Sequence, residues 1–294
     1  QEAGIKSYPV LIGTDEYIDL QEEFPSINFN HCIACMEINE ELVYLDPTCS
    51  TCSLGNLPSG DQNRKVLVFT EAGYRIETTP IYPARHNSLR RILRMKINPD
   101  ETIKAERAIY TFGQYDASQR IWLKYSSQEA ISENLKQIIQ GISPAARLIK
   151  YEIQNLEDLN KGVILSYSFS GREYWIKAGN LRLFPPLAQL DTSVVAKQER
   201  RYSLDLGLPN TVVSELEVVL PKKFKLKYLP ADLKLSNPWL DLSVEYSVRE
   251  NCLYFKQVTR VKKRFVFPAE YPEFKEFMEK VSTQIRERVI FQRG

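Results

Sequence analysis

The chain has 294 residues, of which 43% are hydrophobic and 26% are charged, a balance typical of globular rather than disordered proteins. Its 39 basic and 37 acidic residues nearly cancel, and no long run carries one sign, so a nucleic-acid partner is not expected. No apolar run reaches the roughly eighteen residues that a membrane span needs, so we expect no span in this chain. One large or two ordinary domains are expected at this length.

Short β-rich segments bounded by Gly, Pro, Asn and Asp dominate the beginning of the chain. They cover residues 8–13, 28–38, 41–46 and 65–70. Beyond residue 80, longer segments mix aliphatic, aromatic and charged residues as half-exposed antiparallel strands do. The sequence therefore predicts an α+β fold that is mostly antiparallel β.

Two helices are predicted among these strands. In SSQEAISENLKQIIQGIS, Ser126 and Glu129 have the spacing of a capping box, and Gly141 is a plausible stop. In YPEFKEFMEKVSTQIRERVI, Pro272 fits the first turn, and apolar residues recur at helical spacing from Tyr271. We expect this last helix to dock onto a sheet.

One histidine and one aspartate in the first hundred residues are the candidate site. If a hairpin turns at Asn39 and Glu40, Ile38 pairs with Glu41, and His31 and Asp46 project from the same face within reach of each other. This inference requires a loop with an even number of residues. A carboxylate beside an imidazole fixes its tautomer and stabilises the imidazolium in nucleophilic catalysis. A structural histidine beside a turn aspartate is the open alternative.

Four cysteines raise a different possibility. Cys32, Cys35, Cys49 and Cys52 form C-x2-C-x13-C-x2-C, close to the spacing of structural zinc sites. Against zinc, the first pair lies within a predicted strand, where residues three apart face opposite sides. Zinc ligation, a Cys49–Cys52 disulfide and free thiols stay open, although we favour no metal. The second histidine, His86, is expected to be a solvated loop residue.

Several motifs together resemble a known family. F-N-H, then Y-L-D-P-T, L-G-N-L-P and D-Q-N-R-K-V-L-V-F resemble the second half of a transglutaminase-like cysteine hydrolase core, in particular that of bacterial proteins in which β-rich domains of unknown function flank the core. The match is specific between about residues 8 and 70, and from Asn87 onward the chain resembles the family's C-terminal β-rich module. The resemblance implies a truncated papain-like core at 1–78 and a large β-sandwich module with a C-terminal helix at 79–294. Independently of it, the run from Phe184 to Leu190, which contains Pro185 and Pro186, predicts a subdivision of this module near 185–200.

The resemblance also implies functional roles. His31 corresponds to the family's catalytic histidine, acting as general base and then acid, and Asp46 corresponds to its orienting aspartate. The family's nucleophilic cysteine opens a helix upstream of the histidine strand, but residues 1–30 contain no cysteine. The opening QEAGIKSYPV resembles the segment that comes after that helix, so we expect the nucleophile upstream of Gln1 and no activity of this chain alone.

The implied function is that of an amide hydrolase or acyltransferase, similar to a cysteine protease. Its partners would be a peptide or protein amide substrate and the N-terminal part of the same protein, in the periplasm or outside the cell, without a cofactor. Two other functions stay open. One is a non-catalytic β-sandwich binding module of the bacterial envelope, and the other is a binding domain stabilised by zinc on the four cysteines.

Overall fold

The computed structural model describes residues 4–14, 20, 29–39 and 41–294. The first part of the chain forms an antiparallel sheet of five strands in the order β3-β2-β1-β4-β5. The strands are β1 (Ser7–Ile12), β2 (His31–Ile38), β3 (Glu41–Leu45), β4 (Lys65–Thr70) and β5 (Gly73–Thr78).

Alternation of apolar residues explains how this sheet buries one face. Val10 pairs with Ile33 on one side and Val68 on the other, and all three side chains are buried together with Cys35. The predicted hairpin register is confirmed, because Ile38 pairs with Glu41 and Ala34 with Leu45. Residue 40 of the predicted turn lies outside the described residues, as do residue 28 and the opening residues 1–3.

The rest of the chain is built around an eight-stranded sheet in the order β15-β16-β17-β13-β6-β7-β9-β8, with a four-stranded sheet β10-β11-β19-β14 and a two-stranded sheet β12-β18. Its pairs are antiparallel except β6 with β13, which are parallel. The strands are β6 (Ser88–Ile97), β7 (Ile103–Thr111), β8 (Arg147–Gln154), β9 (Ile164–Gly171), β10 (Ile176–Ala178), β11 (Leu181–Leu183), β12 (Leu204–Asp205), β13 (Asn210–Val219), β14 (Phe224–Tyr228), β15 (Leu233–Ser236), β16 (Leu240–Arg249), β17 (Cys252–Val261), β18 (Phe265–Val266) and β19 (Ile290–Arg293).

The described residues contain three α-helices rather than the two predicted: α1 (Gln114–Tyr125), α2 (Gln128–Ile142) and α3 (Tyr271–Gln284). The helix α1 is absent from the prediction. For α2 the N-cap is Ser127, which accepts a hydrogen bond from the backbone N–H of Ala130, so the predicted cap at Ser126 is wrong by one residue. Gly141 lies inside α2 rather than ending it.

Three clusters of buried apolar residues form the core among the residues that the structure describes. The first lies under the five-stranded sheet. The largest joins the eight-stranded sheet, α2 and the four-stranded sheet. In the third, Tyr271, Phe274 and Met278 of α3 pack around Trp239, so the predicted docking of this helix is confirmed. The predicted α+β, mostly antiparallel class is also confirmed. The division at residues 78 and 79 stays a prediction.

Among the described residues, no helix combines the length and the apolar character that a membrane span needs.

Candidate functional site

The predicted histidine and aspartate meet at one end of the five-stranded sheet. His31 opens β2 opposite Ile12 of β1, and Asp46 directly follows β3. The Nε2 atom of His31 lies 3.2 Å from Oδ1 of Asp46. The Asp46 side chain is only 5% exposed, whereas that of His31 is 25% exposed. The carboxylate is therefore shielded from water while the imidazole keeps an accessible edge.

The D-P-T turn holds the carboxylate in place. Oδ1 of Asp46 accepts hydrogen bonds from the backbone N–H of Thr48 at 2.9 Å and from its hydroxyl at 2.8 Å. The backbone N–H of Cys49 donates to the carbonyl of Asp46 at 3.1 Å, and Cys49 is disulfide-bonded to Cys52. The loop after β3 thus fixes the oxygen that faces the imidazole.

A third ionisable group joins this pair. One ligand-capable atom from each of His31, Asp46 and Asp61 lies within 4.8 Å of the other two, and within the described part of the chain this is the group of three or more His, Cys, Asp or Glu residues with such spacing. Asp61 is 2% exposed. Its backbone carbonyl accepts a hydrogen bond from the Thr79 hydroxyl at 2.6 Å, while the Gln62 side chain donates to the Leu57 carbonyl.

Sequence reasoning missed Asp61. The residue belongs to the D-Q-N-R-K motif that carries the family resemblance, but no spacing rule links it to His31, thirty positions earlier in the chain. It lies in the segment between β3 and β4, which brings one of its carboxylate oxygens within 4.8 Å of the His31 and Asp46 ligand atoms. The chemical signal available from the sequence was an aspartate placed shortly before a β-strand.

None of the five cysteines is placed to act as the partner of His31 in the structure. Cys32 is exposed and Cys35 is buried, as expected for residues on opposite faces of β2. Burial raises the pKa of the Cys35 thiol, and its position four residues from His31 corresponds to roughly 13 Å along a strand. Cys49 and Cys52 are bonded to each other, and Cys252 belongs to the distant β17.

The same arrangement bears on the zinc hypothesis. Two of the four sulfurs are consumed by the disulfide, and the thiols of Cys32 and Cys35 project to opposite sides of β2. A structural zinc site made of four cysteines requires their sulfurs to converge on one point. These four do not converge here, so zinc ligation by this set would require reduction of the disulfide and rearrangement of the strand.

The second histidine differs from the prediction of a solvated loop residue. His86 is half-buried, stacks on Tyr82 with ring centroids 4.5 Å apart, and its Nε2 is hydrogen-bonded to the side-chain oxygen of Asn56. Burial lowers the pKa of its imidazole. His86 therefore links the segment before β6 to the loop that follows the Cys49–Cys52 disulfide, and it is not part of the His31 site.

The two nitrogens of His31 differ in their position relative to Asp46. Nε2 is the nitrogen that lies 3.2 Å from the carboxylate, which favours the neutral tautomer with its proton on Nε2 and its lone pair on Nδ1. Nδ1 is then the atom that can take a proton from a nucleophile. Alternatively, Nε2 and the carboxylates of Asp46 and Asp61 have the ligand types that a divalent cation takes.

Comparisons with known proteins give one partial family match and one protein of similar fold. Residues 180–291 match the model of a family described as a domain of unknown function with a solved structure, DUF3858. A solved structure of a "putative protease" from Parabacteroides distasonis ATCC 8503 is similar, with a TM-score of 0.50 and 11% identity over 99% of this chain. The chain spans 41% of the length of that structure. No curated protein matches the sequence.

Proposed function

We propose that this chain carries the histidine–aspartate half of a Cys–His–Asp amide hydrolase or acyltransferase of the transglutaminase-like type. The observation that carries the proposal is the 3.2 Å contact between His31 Nε2 and an Asp46 oxygen that Thr48 holds in place. A buried, twice-bonded carboxylate on one imidazole nitrogen, with the other nitrogen left for a nucleophile, is the arrangement that acyl transfer through a thiol uses.

The proposed reaction has two stages, acylation of the thiol and then release of the acyl group. His31 Nδ1 takes the proton of a thiol, and the thiolate attacks an amide carbonyl to form a tetrahedral intermediate. The imidazolium, stabilised by Asp46, then gives its proton to the leaving amine as the C–N bond breaks. Water or an amine acceptor then attacks the thioester while His31 takes its proton, and His31 returns the proton to the thiolate as the C–S bond breaks. The carboxylate of Asp61 adds to the negative field around the imidazolium.

The thiol in this proposal comes from a segment outside the chain. Cys32 faces away from His31 and Cys35 is buried further along β2, while Cys49 and Cys52 are joined. The similar solved structure is more than twice as long as the part that this chain spans, which is consistent with a site assembled from two segments. We place the nucleophile in the polypeptide encoded before Gln1.

The experiment compares the full-length protein with this chain alone on a library of fluorogenic peptide amides. We expect turnover by the full-length protein and none by residues 1–294. His31→Ala in the full-length protein should abolish turnover, and Cys32→Ser is the matched control because it alters the neighbouring side chain on the opposite face of β2. A full-length protein without an upstream cysteine, or with unchanged turnover after His31→Ala, would refute the proposal.

One observation favours a second candidate, a divalent-cation site made of His31, Asp46 and Asp61. Isothermal titration calorimetry of this chain with Zn²⁺ and with Mn²⁺ distinguishes the metal-site candidate from the hydrolase proposal. Stoichiometric binding that is lost in Asp61→Asn but retained in Cys32→Ser would favour the metal site. Absence of binding, together with thiol-dependent turnover of the full-length protein, would favour the hydrolase.

A further inference from the structure

Two arginines lie side by side on the inner face of the eight-stranded sheet. Arg107 of β7 pairs with Leu93 of β6, and Arg91 pairs with Ile109. Cross-strand partners share a face, and so do residues two apart on a strand. Arg91 and Arg107 are therefore diagonal neighbours on the face that otherwise supplies the main apolar core.

Both arginines are half-buried, and neither forms an ion pair with another described residue. Among the described residues, the ion pairs made by arginines of β6 belong to Arg90 with Glu215 and Arg94 with Glu217, which lie on the opposite face. The Nε atom of Arg107 is buried without a hydrogen bond. Burial and the nearby charge of Arg107 both lower the pKa of the Arg91 guanidinium.

The hydroxyl of Tyr167, on the neighbouring strand β9, is a buried polar group beside these arginines. Tyr167 of β9 pairs with Arg107 and is 3% exposed. Burial raises the pKa of this phenol, and the charge of the Arg107 guanidinium and a hydrogen-bonding interaction with it oppose the rise, although the contact falls outside standard hydrogen-bond geometry in the described structure. Buried polar groups are almost always satisfied, so the buried Nε–H of Arg107, which has no partner among the described residues, calls for an acceptor.

The space in front of this cluster is large enough for a ligand. Arg91 and Arg107 line a cavity of about 700 Å³ between the sheet, the end of α2 and the segment 185–191. Ligand-binding cavities in proteins are typically about 300–1,000 Å³. Its walls include Leu93, Ile142 and Leu187, and the carboxylates of Glu173 and Asp191 lie at exposed positions on its rim.

We infer that this cavity binds a small organic anion, with a carboxylate or phosphate held between Arg91 and Arg107 and an apolar body lying against Leu93, Ile142 and Leu187. Arginine guanidinium groups match the geometry of both anions. An anion between the two guanidiniums would also accept from Arg107 Nε, and it would offset the cost of burying two like charges. The apolar walls favour a ligand whose charge is confined to one end.

Thermal unfolding of this chain with four probes tests the inference. Octanoate and octyl phosphate carry both the anion and the apolar body, whereas inorganic phosphate lacks the body and octanol lacks the charge. We expect one or both amphiphilic anions to raise the melting temperature by several degrees at millimolar concentration, with inorganic phosphate weaker and octanol inactive. A preference between octanoate and octyl phosphate identifies the head group.

Two arginine variants separate this site from surface binding. Arg91→Met should weaken anion binding at least tenfold and should also raise the melting temperature of the ligand-free protein, because an apolar side chain replaces a half-buried charge that has no ion-pair partner among the described residues and lies beside a like charge. Arg94→Met, on the exposed face of the same strand, should retain anion binding.

The inference is overturned by any of three results. The first is no protection of the unmodified chain by either amphiphilic anion. The second is equal protection of the Arg91→Met and Arg94→Met variants, which indicates an adventitious additive only. The third is a lowered melting temperature of ligand-free Arg91→Met, which would assign Arg91 a structural role.

Discussion

The five-stranded sheet and the eight-stranded sheet differ in where they put ionisable groups. In the first, His31, Asp46 and Asp61 converge at the end of the strands, in loops beside a half-accessible imidazole. In the region built around the second sheet, buried charges are mostly saturated with hydrogen bonds, as with Arg120 of α1, which donates to Asp116 and to four backbone carbonyls. Charged groups whose hydrogen bonds are all made stabilise the fold, whereas groups that can still form hydrogen bonds are available for chemistry or for a ligand.

The largest effect is expected from Asp46. In the full-length protein, Asp46→Asn should lower kcat by about 10²–10⁴-fold, because an amide cannot stabilise the imidazolium and permits the wrong tautomer. KM should change little. Steady-state kinetics on the best fluorogenic amide checks this. Thr48→Val, which removes one of the two hydrogen bonds to the carboxylate, should cost only about tenfold, the equivalent of one hydrogen bond; a larger loss than for Asp46→Asn would contradict the assigned roles.

The saturated charges of the second region give the next largest effect. Asp116→Asn leaves the guanidinium of Arg120, which is 1% exposed, without its counter-charge, and should lower the free energy of unfolding by about 3–5 kcal/mol. Urea denaturation measures the change. Glu157→Gln is the matched control, since its pair with Lys124 is exposed and is worth at most about 1 kcal/mol. Equal effects of the two variants would refute the distinction between buried and exposed pairs.

Glu101 provides a pH-dependent version of the same comparison. Hydrogen bonds from Arg182, with further ones from Lys177 and Trp175, lower the pKa of this carboxyl from 4.5 to about 2. A lowered folded-state pKa means that the stabilisation is present above the unfolded pKa and is lost as the pH falls toward the folded one. The stability difference between the unmodified chain and Glu101→Gln should therefore be about 2–3 kcal/mol at pH 6.

That difference should shrink steadily between pH 4.5 and pH 2, as followed by urea denaturation at each pH. Glu106→Gln, at an exposed position of the neighbouring strand, should show no such dependence. A stability difference for Glu101→Gln that stays constant across this range would rule out the ionic role of Glu101.

The smallest effect concerns the loop that carries Asp46. The Cys49–Cys52 disulfide closes a loop with a sequence separation of 3, and constraint of so short a loop contributes about 2 kcal/mol or less to stability. The double variant Cys49→Ser with Cys52→Ser should lose at most this amount by thermal unfolding, with Cys252→Ser as control. Complete unfolding of the double variant would show that this disulfide is a main determinant of the fold.

Much of the first region was predictable from local pattern. Alternation of apolar residues and the Asn39 turn fix the β2–β3 register, and that register places His31 beside Asp46. Asp61 was not predictable, since it arrives through a loop whose path is set by hydrogen bonds to Leu57 and Thr79. The spacing of residues along the chain does not predict such contacts between segments that are distant in sequence.

The helix α1 and the parallel strand pair escaped prediction for related reasons. The interior side of α1 carries Asp116 and Arg120 together with Leu123, so the helix lacks the apolar stripe by which helices are recognised. The parallel pairing of β6 with β13 joins segments more than a hundred residues apart. The unpaired state of Arg91 and Arg107 likewise becomes visible only when every neighbouring side chain is placed.

The central claim is that His31, oriented by Asp46, activates a thiol supplied by another segment. The rate of iodoacetamide alkylation of the full-length protein at pH 6, with the modified cysteine identified by mass spectrometry, tests it most directly. We expect one cysteine encoded before Gln1 to react at least tenfold faster than the thiol of Cys32, and to lose that advantage in His31→Ala, because a thiolate paired with an imidazolium persists below the ordinary thiol pKa. Equal rates with and without His31, or preferential modification of Cys32, would contradict the account.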